Sequence, residues 1–182
     1  MKHRKILDEE FEQVILSNIN NLNDLELIIL KGHILVEYAL NKFIDDLSND
    51  NFDINKENFQ FSQKIKICKA FGLFNGEKAI EFEELFLQLN RIRNSIAHYL
   101  EYDFNEVNKL FIQFAKFIKN TKIIYNTESD VEKMKSIVIA ICGNTIGIKM
   151  GNQKIKKFKE KITNEKYKDN NLIFIEDFKN FK

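Results

Sequence analysis

Asn23-Asp24-Leu25-Glu26-Leu27-Ile28-Ile29-Leu30-Lys31-Gly32-His33-Ile34-Leu35-Val36-Glu37-Tyr38-Ala39-Leu40-Asn41-Lys42-Phe43-Ile44 is the stretch on which the fold turns. On a helical wheel its apolar residues lie nearly all round. The exceptions Glu26, His33, Glu37 and Asn41 share one narrow seam at about 100° per residue. A helix of this kind runs through the middle of a bundle or packs against a partner chain. Asn23 with Glu26 has the spacing of an N-cap and its capping-box partner, and the pattern runs to about Leu47.

The flanks read the same way. Ile6, Leu7, Phe11, Val14, Ile15 and Leu16 predict a first helix from about Lys5 to Ile19, broken by Asn20-Asn21-Leu22-Asn23. After a polar loop from Ser48 to Gln60, helices are predicted over about Ser62–Leu73, Glu77–Tyr99 and Phe104–Tyr125. The third helix stops near Gly72. Ser129 with Glu132 opens a sixth helix over Val131–Ile141. Beyond it Gly143, Gly147 and Gly151 weaken the pattern, and Thr145–Met150 alternates enough to be a strand.

Composition agrees with helices. With Pro 0 and Gly 6, the chain lacks most of the residues that build tight turns and hairpins. At 182 residues, 44% hydrophobic and 30% charged, it can bury a sizeable core, which excludes disorder as the main state. The expected fold is an all-α, up-and-down helical bundle over 1–127, with a helical, Lys-rich extension over 128–182 packed on or next to it.

Lys+Arg 28 against Asp+Glu 27 gives no global sign of a nucleic-acid binder. The charge is uneven, however. Lys149 to Lys168 holds eight Lys and two Glu, so 8 − 2 = +6, and Lys154, Lys156, Lys157 and Lys159 are candidate phosphate contacts as well as an ordinary solvated face. Phe158, Tyr167 and Phe174 could stack on bases there. Cys68 and Cys142 are too few and too far apart for a disulfide framework or a zinc motif, which fits a reducing cytoplasm and small core side chains. The basic start Met1-Lys2-His3-Arg4-Lys5 is followed by acidic residues, unlike a signal peptide, and no apolar run approaches the ~18 residues of a membrane span. A cytoplasmic protein with no membrane partner is expected.

Chemistry concentrates in Leu89-Asn90-Arg91-Ile92-Arg93-Asn94-Ser95-Ile96-Ala97-His98-Tyr99. Leu85, Leu89, Ile92, Ile96 and Leu100 form the buried stripe, while Asn94, Ser95, His98 and Tyr102 fall within about 60° of Arg91 on the wheel. One face thus carries a cation, an amide, a hydroxyl and an imidazole. Arg93 sits beside the apolar stripe, where a guanidinium is costly unless paired or placed at an interface. An isolated Arg-x4-His arises often by accident, with the histidine hydrogen-bonded inside a bundle.

Arg93-Asn94 followed by Ala97-His98, near the end of a helix in an all-α chain, resembles the signature of the HEPN superfamily. Gly32 to Ile44 is similar to that family's second helix, and Phe61-Ser62-Gln63-Lys64-Ile65 with Phe71-Gly72-Leu73 to its mannitol-operon-repressor-like branch. The likeness spans roughly residues 20 to 125. It implies a HEPN-type bundle that forms a homodimer through the Arg/His helix and cleaves RNA without metal or cofactor, as a toxin or phage-defence effector neutralised by an antitoxin protein. It implies Arg93, His98 and Asn94 as catalytic residues, with Arg91, Glu37, Ser95 and Tyr102 in support. Arg91, separated from His98 by six intervening residues, also fits the family spacing, and Glu37 either orients the site or pairs with a lysine. The non-catalytic alternative is a HEPN-like regulatory or binding module. Imidazoles titrate near ~6.5, so two copies can supply one base and one acid, and a guanidinium can stabilise charge building on a phosphate.

Overall fold

Six helices and no strand make up the described residues: α1 (Asp8–Ile19), α2 (Leu25–Leu47), α3 (Phe61–Ala70), α4 (Ala79–Tyr99), α5 (Phe104–Ile118) and α6 (Asp130–Lys179). The structure, a computed structural model, describes residues 8–47, 57–99, 102–118 and 129–179, with side chains over 10–47, 57–99, 102–118 and 129–157. The predicted starts of α1 at Lys5 and the loop at 48–56 lie outside these residues, as do the predicted end of α5 over 119–125, Leu100 and His3. Among the described residues no helix is long and apolar enough to cross a membrane.

Helix ends follow local chemistry. Asp24, rather than Asn23, caps α2: its Oδ1 accepts the Leu27 N–H at 2.8 Å. Asp103 Oδ1 takes the Asn105 N–H at the start of α5, and Ser129 Oγ the Glu132 N–H at the start of α6. α3 closes earlier than the apolar pattern runs. Gly72, at φ +86°, lets its own N–H reach Lys69 O and that of Leu73 reach Cys68 O, a pair of bonds that satisfies the last carbonyls.

α2 is the central element and packs against α1, α3 and α4, while α4 packs most extensively on α5. Ile28, Ile29, Val36, Ala39, Leu40, Phe43 and Ile44 of α2 are buried. Leu27 and Ile34, one heptad apart on one face, remain exposed. Phe74, Phe82 and Phe86 meet edge-on or tilted at 5.1–5.7 Å between ring centroids, and Phe117 stacks on Phe82 at 5.2 Å. At about 1.5–3 kcal/mol for each fully buried large side chain, this cluster fixes the first half of α4 against α5. Two lysines brace helix ends from other elements. Lys78 donates to the Lys116 and Phe117 carbonyls in the last turn of α5, and buried Lys135 donates to Asn20 O at 2.9 Å, just past α1.

Residues 145–150 are helical, so the alternation of Thr145–Met150 produces no strand and the all-α reading holds there. Met134, Ile137, Val138, Ile141, Cys142, Thr145 and Ile146 are buried at helical spacing, and the Thr145 hydroxyl donates to Ile141 O at 2.8 Å. That bond removes the cost of a buried polar group which the sequence alone leaves open. The chain divides into two compact units, Met1–Ile146 and Gly147–Lys182. Residues 130–146 of α6 therefore belong with the first unit. Both cysteines are fully buried there, and burial raises both thiol pKa values, that of Cys68 to about 12.

Gly32 of α2 sits directly against Val138 of α6. A Cβ at this position would lie 2.5 Å from Val138 Cγ2, on a β-branched side chain held in one rotamer. Gly32→Ala is expected to destabilise the protein by about 1–3 kcal/mol in urea unfolding, and adding Val138→Ala should recover part of the loss. Equal stability of Gly32→Ala and the wild type would show that this contact is loose.

Candidate functional site

α4 carries two different polar surfaces. The outward one holds Arg91 and His98, both exposed, with Asn94 and Ser95 half-buried beside them. Two turns of ideal helix put Arg91 and His98 within about 20° of each other and about 10 Å apart along the axis. The only ring contact of His98 among the described residues is with Tyr99, edge-on at 6.4 Å, and no hydrogen bond among them holds its ring nitrogens. Its imidazole is open to solvent. Tyr99 is 78% exposed. α4 ends at Tyr99, so Tyr102 lies in the connection to α5 and not on the Arg91 face where a continued helix would put it.

The inward surface is built around His33. This buried side chain of α2 donates from Nε2 to Asn90 Oδ1 of α4 at 3.1 Å and lies against the Phe61 ring of α3 at 4.3 Å. Burial lowers its pKa. The Asn90 bond and the Glu37 carboxylate oppose that shift, while the Arg93 and Lys64 cations reinforce it. Glu37 accepts the Lys64 ammonium at 2.7 Å, so it takes the lysine partner open to it in the sequence. Arg93 is half-buried, its Nη1 donates to Asn94 Oδ1 at 3.1 Å, and its charge is felt at His33. The structure thus pairs Glu37 of α2 with Lys64 of α3, holds half-buried Arg93 against Asn94, and leaves Arg91 and His98 exposed.

Four residues of this region escape the sequence reading: Gln88, Asn90, Lys64 and Glu106. Gln88 and Asn90 lie three residues before Arg91 and Arg93, one helical turn away, and that spacing was the available signal. Gln88 is 1% exposed. Its Oε1 accepts from Arg91 Nη1 at 3.0 Å, and its Nε2 donates to the Glu106 carbonyl at 2.9 Å and to Glu106 Oε2 at 2.7 Å. Lys109 and Gln88 hold the Glu106 carboxyl below its usual range. Neither Arg91 nor Arg93 forms an ion pair among the described residues.

Lys154, Lys156 and Lys157 are exposed on α6 in the second unit. The side chain of Lys159 lies outside the described residues, as do those of Phe158, Tyr167 and Phe174. Among the described residues no group of three His, Cys, Asp or Glu is placed to hold a metal ion.

The site is therefore a solvent-open imidazole and two guanidiniums on one helix of an all-α protein. Compared with known protein families, curated proteins and solved structures, the chain matches none.

Proposed function

We propose that this protein is a metal-independent endoribonuclease of HEPN type. In this reading the helices form an up-and-down bundle, two copies meet along α4, and an antitoxin protein holds the activity in check. One observation carries it: His98 presents an unencumbered imidazole at the end of α4, and neither Arg91 nor Arg93 is neutralised by a carboxylate among the described residues.

The chemistry balances with protein groups alone. One imidazole takes the proton of an RNA 2′-hydroxyl, whose oxygen attacks the adjacent phosphorus. The bond from phosphorus to the 5′-oxygen breaks, and an imidazolium from the second copy protonates the leaving oxygen. Arg93 stabilises charge gathering on the non-bridging oxygens, and Asn94 keeps its guanidinium directed. The products carry a 2′,3′-cyclic phosphate and a 5′-hydroxyl.

Purified protein incubated with mixed RNAs is expected to yield these ends with or without EDTA, read by end-group labelling and mass spectrometry. RNA left intact at high protein concentration, or products bearing a 5′-phosphate, would overturn the proposal. The half-burial of Arg93 beside His33 favours a second reading, a non-catalytic regulatory or binding module in which Arg93 is a structural cation. That module binds a protein or nucleic acid tightly and turns over no RNA.

A further inference from the structure

We infer that Gln88 is a positioning residue: it holds Arg91 as a pre-aimed, un-neutralised cation that binds a phosphodiester of the RNA strand other than the one being cleaved. This inference rests on the RNA reading above and adds a second phosphate subsite to it.

The argument starts from the amide. Gln88 is almost wholly buried, yet its carboxamide serves an exposed residue. Its orientation is set by α5, because Nε2 donates to two oxygens of Glu106. Turning the amide over would set its Oε1 against those two acceptors and its NH2 against the Arg91 donor. The Glu106 carboxylate pairs with Lys109 and feels the Arg91 charge without pairing with it, so the network from α5 outward runs cation, anion, neutral amide, cation.

The neutral link has a consequence for charge. A carboxylate in place of Gln88 would fix Arg91 equally well but cancel its charge in an ion pair. An amide fixes the guanidinium and leaves its charge and most of its five donors for a ligand. Holding a long surface side chain in one rotamer costs freedom that a solvated arginine keeps, and that cost is recovered when an anion binds. The anion is a phosphodiester because Arg91 shares the helix face of His98. It is a different one because about 10 Å of helix separates their Cα levels, more than one phosphate spans. Helical side chains also lean toward the N-terminus, and Arg91 leans to Gln88, away from His98.

The test is binding of an end-labelled, 2′-O-methylated single-stranded RNA, which lacks the nucleophile and cannot be cut, followed by fluorescence anisotropy across a series of salt concentrations. Arg91→Ala is expected to weaken binding by roughly tenfold or more and to lower the salt slope by about 0.7, one phosphate's worth. Gln88→Met keeps the charge and loses the aim. It should weaken binding by roughly three- to tenfold with the salt slope unchanged, a pattern that a purely structural residue does not give. Glu106→Ala loosens the same amide from the surface and should reproduce that pattern if Gln88→Met folds poorly.

Equal affinity of Arg91→Ala and wild type overturns the inference and leaves the nuclease reading standing. Wild-type affinity in a folded Gln88→Met or Glu106→Ala variant overturns the positioning role. RNA binding that behaves as described without any cleavage of natural RNA leaves the second subsite in place and removes the nuclease. Absence of RNA binding by the wild type removes both.

Discussion

Replacing His98 by alanine is expected to lower the rate of RNA cleavage by about 10²–10⁴-fold while leaving the melting temperature unchanged. On the proposed ribonuclease reading, the size follows from losing the group that would move the proton in the step. The unchanged stability follows from position: His98 is exposed, and its ring meets only Tyr99 among the described residues. The measurement is single-turnover cleavage of one defined RNA by both proteins, with thermal unfolding followed in parallel. Arg93→Ala separates the roles further. Arg93 is half-buried and lies in the field of His33, so its loss should reduce both cleavage and stability. Cleavage by His98→Ala at the wild-type rate would remove the imidazole from the mechanism. A fall in melting temperature as large as that of Arg93→Ala would make His98 a structural residue.

The contrast between these two residues shows what the sequence could convey. Periodicity located α4 well: Leu85, Leu89, Ile92 and Ile96 are buried as the stripe requires. It also placed Arg91 and His98 on the outward face and Arg93 on the inward flank, because a wheel needs only the spacing of residues along one helix. The all-α class followed from the same signal together with Pro 0 and Gly 6.

What periodicity lacks is knowledge of the neighbour. Arg93 beside an apolar stripe had to find a partner, but nothing in residues 89–99 says that a buried histidine far earlier in the chain, His33, stands nearby. Gln88 is similar. Its function comes from Glu106, eighteen residues on, across the packing of α4 and α5. Tertiary hydrogen bonds between residues on different helices leave no local pattern. The caps show the same limit at short range, since Asn23 and Asp24 are both competent and only the path of the chain selects Asp24. The glycines of α6 misled for another reason. Each lies where an added Cβ would meet nothing within 4 Å, so they interrupt an open face while the buried face continues unbroken into Ile146.

The Glu37–Lys64 pair should give the largest change in stability, and an asymmetric one. The Lys64 side chain is 7% exposed and that of Glu37 33%. Glu37→Met strands an ammonium with little access to water, and a loss of about 3 kcal/mol is expected, a fall in melting temperature of roughly 6–12 °C. Lys64→Met leaves a carboxylate that can still reach solvent, so a loss nearer 1 kcal/mol is expected. The double variant removes both charges and should be more stable than Glu37→Met, while equal losses for the two single variants would contradict the asymmetry. The same cluster sets the acid response. His33 takes up a proton in the unfolded chain near pH ~6.5 but, with its pKa lowered, resists it in the fold. Its contribution is whole above that pH and drains away as the pH falls towards the folded value. Glu106, whose pKa is also lowered, titrates below this window. Unfolding free energy should therefore drop as the pH falls through about 6.5 towards the folded value, and His33→Gln, which keeps a donor for Asn90, should flatten that slope. Removing Glu37 takes away the anion that favours the imidazolium, so Glu37→Met should carry the acid loss to lower pH, whereas Lys64→Met should shorten it.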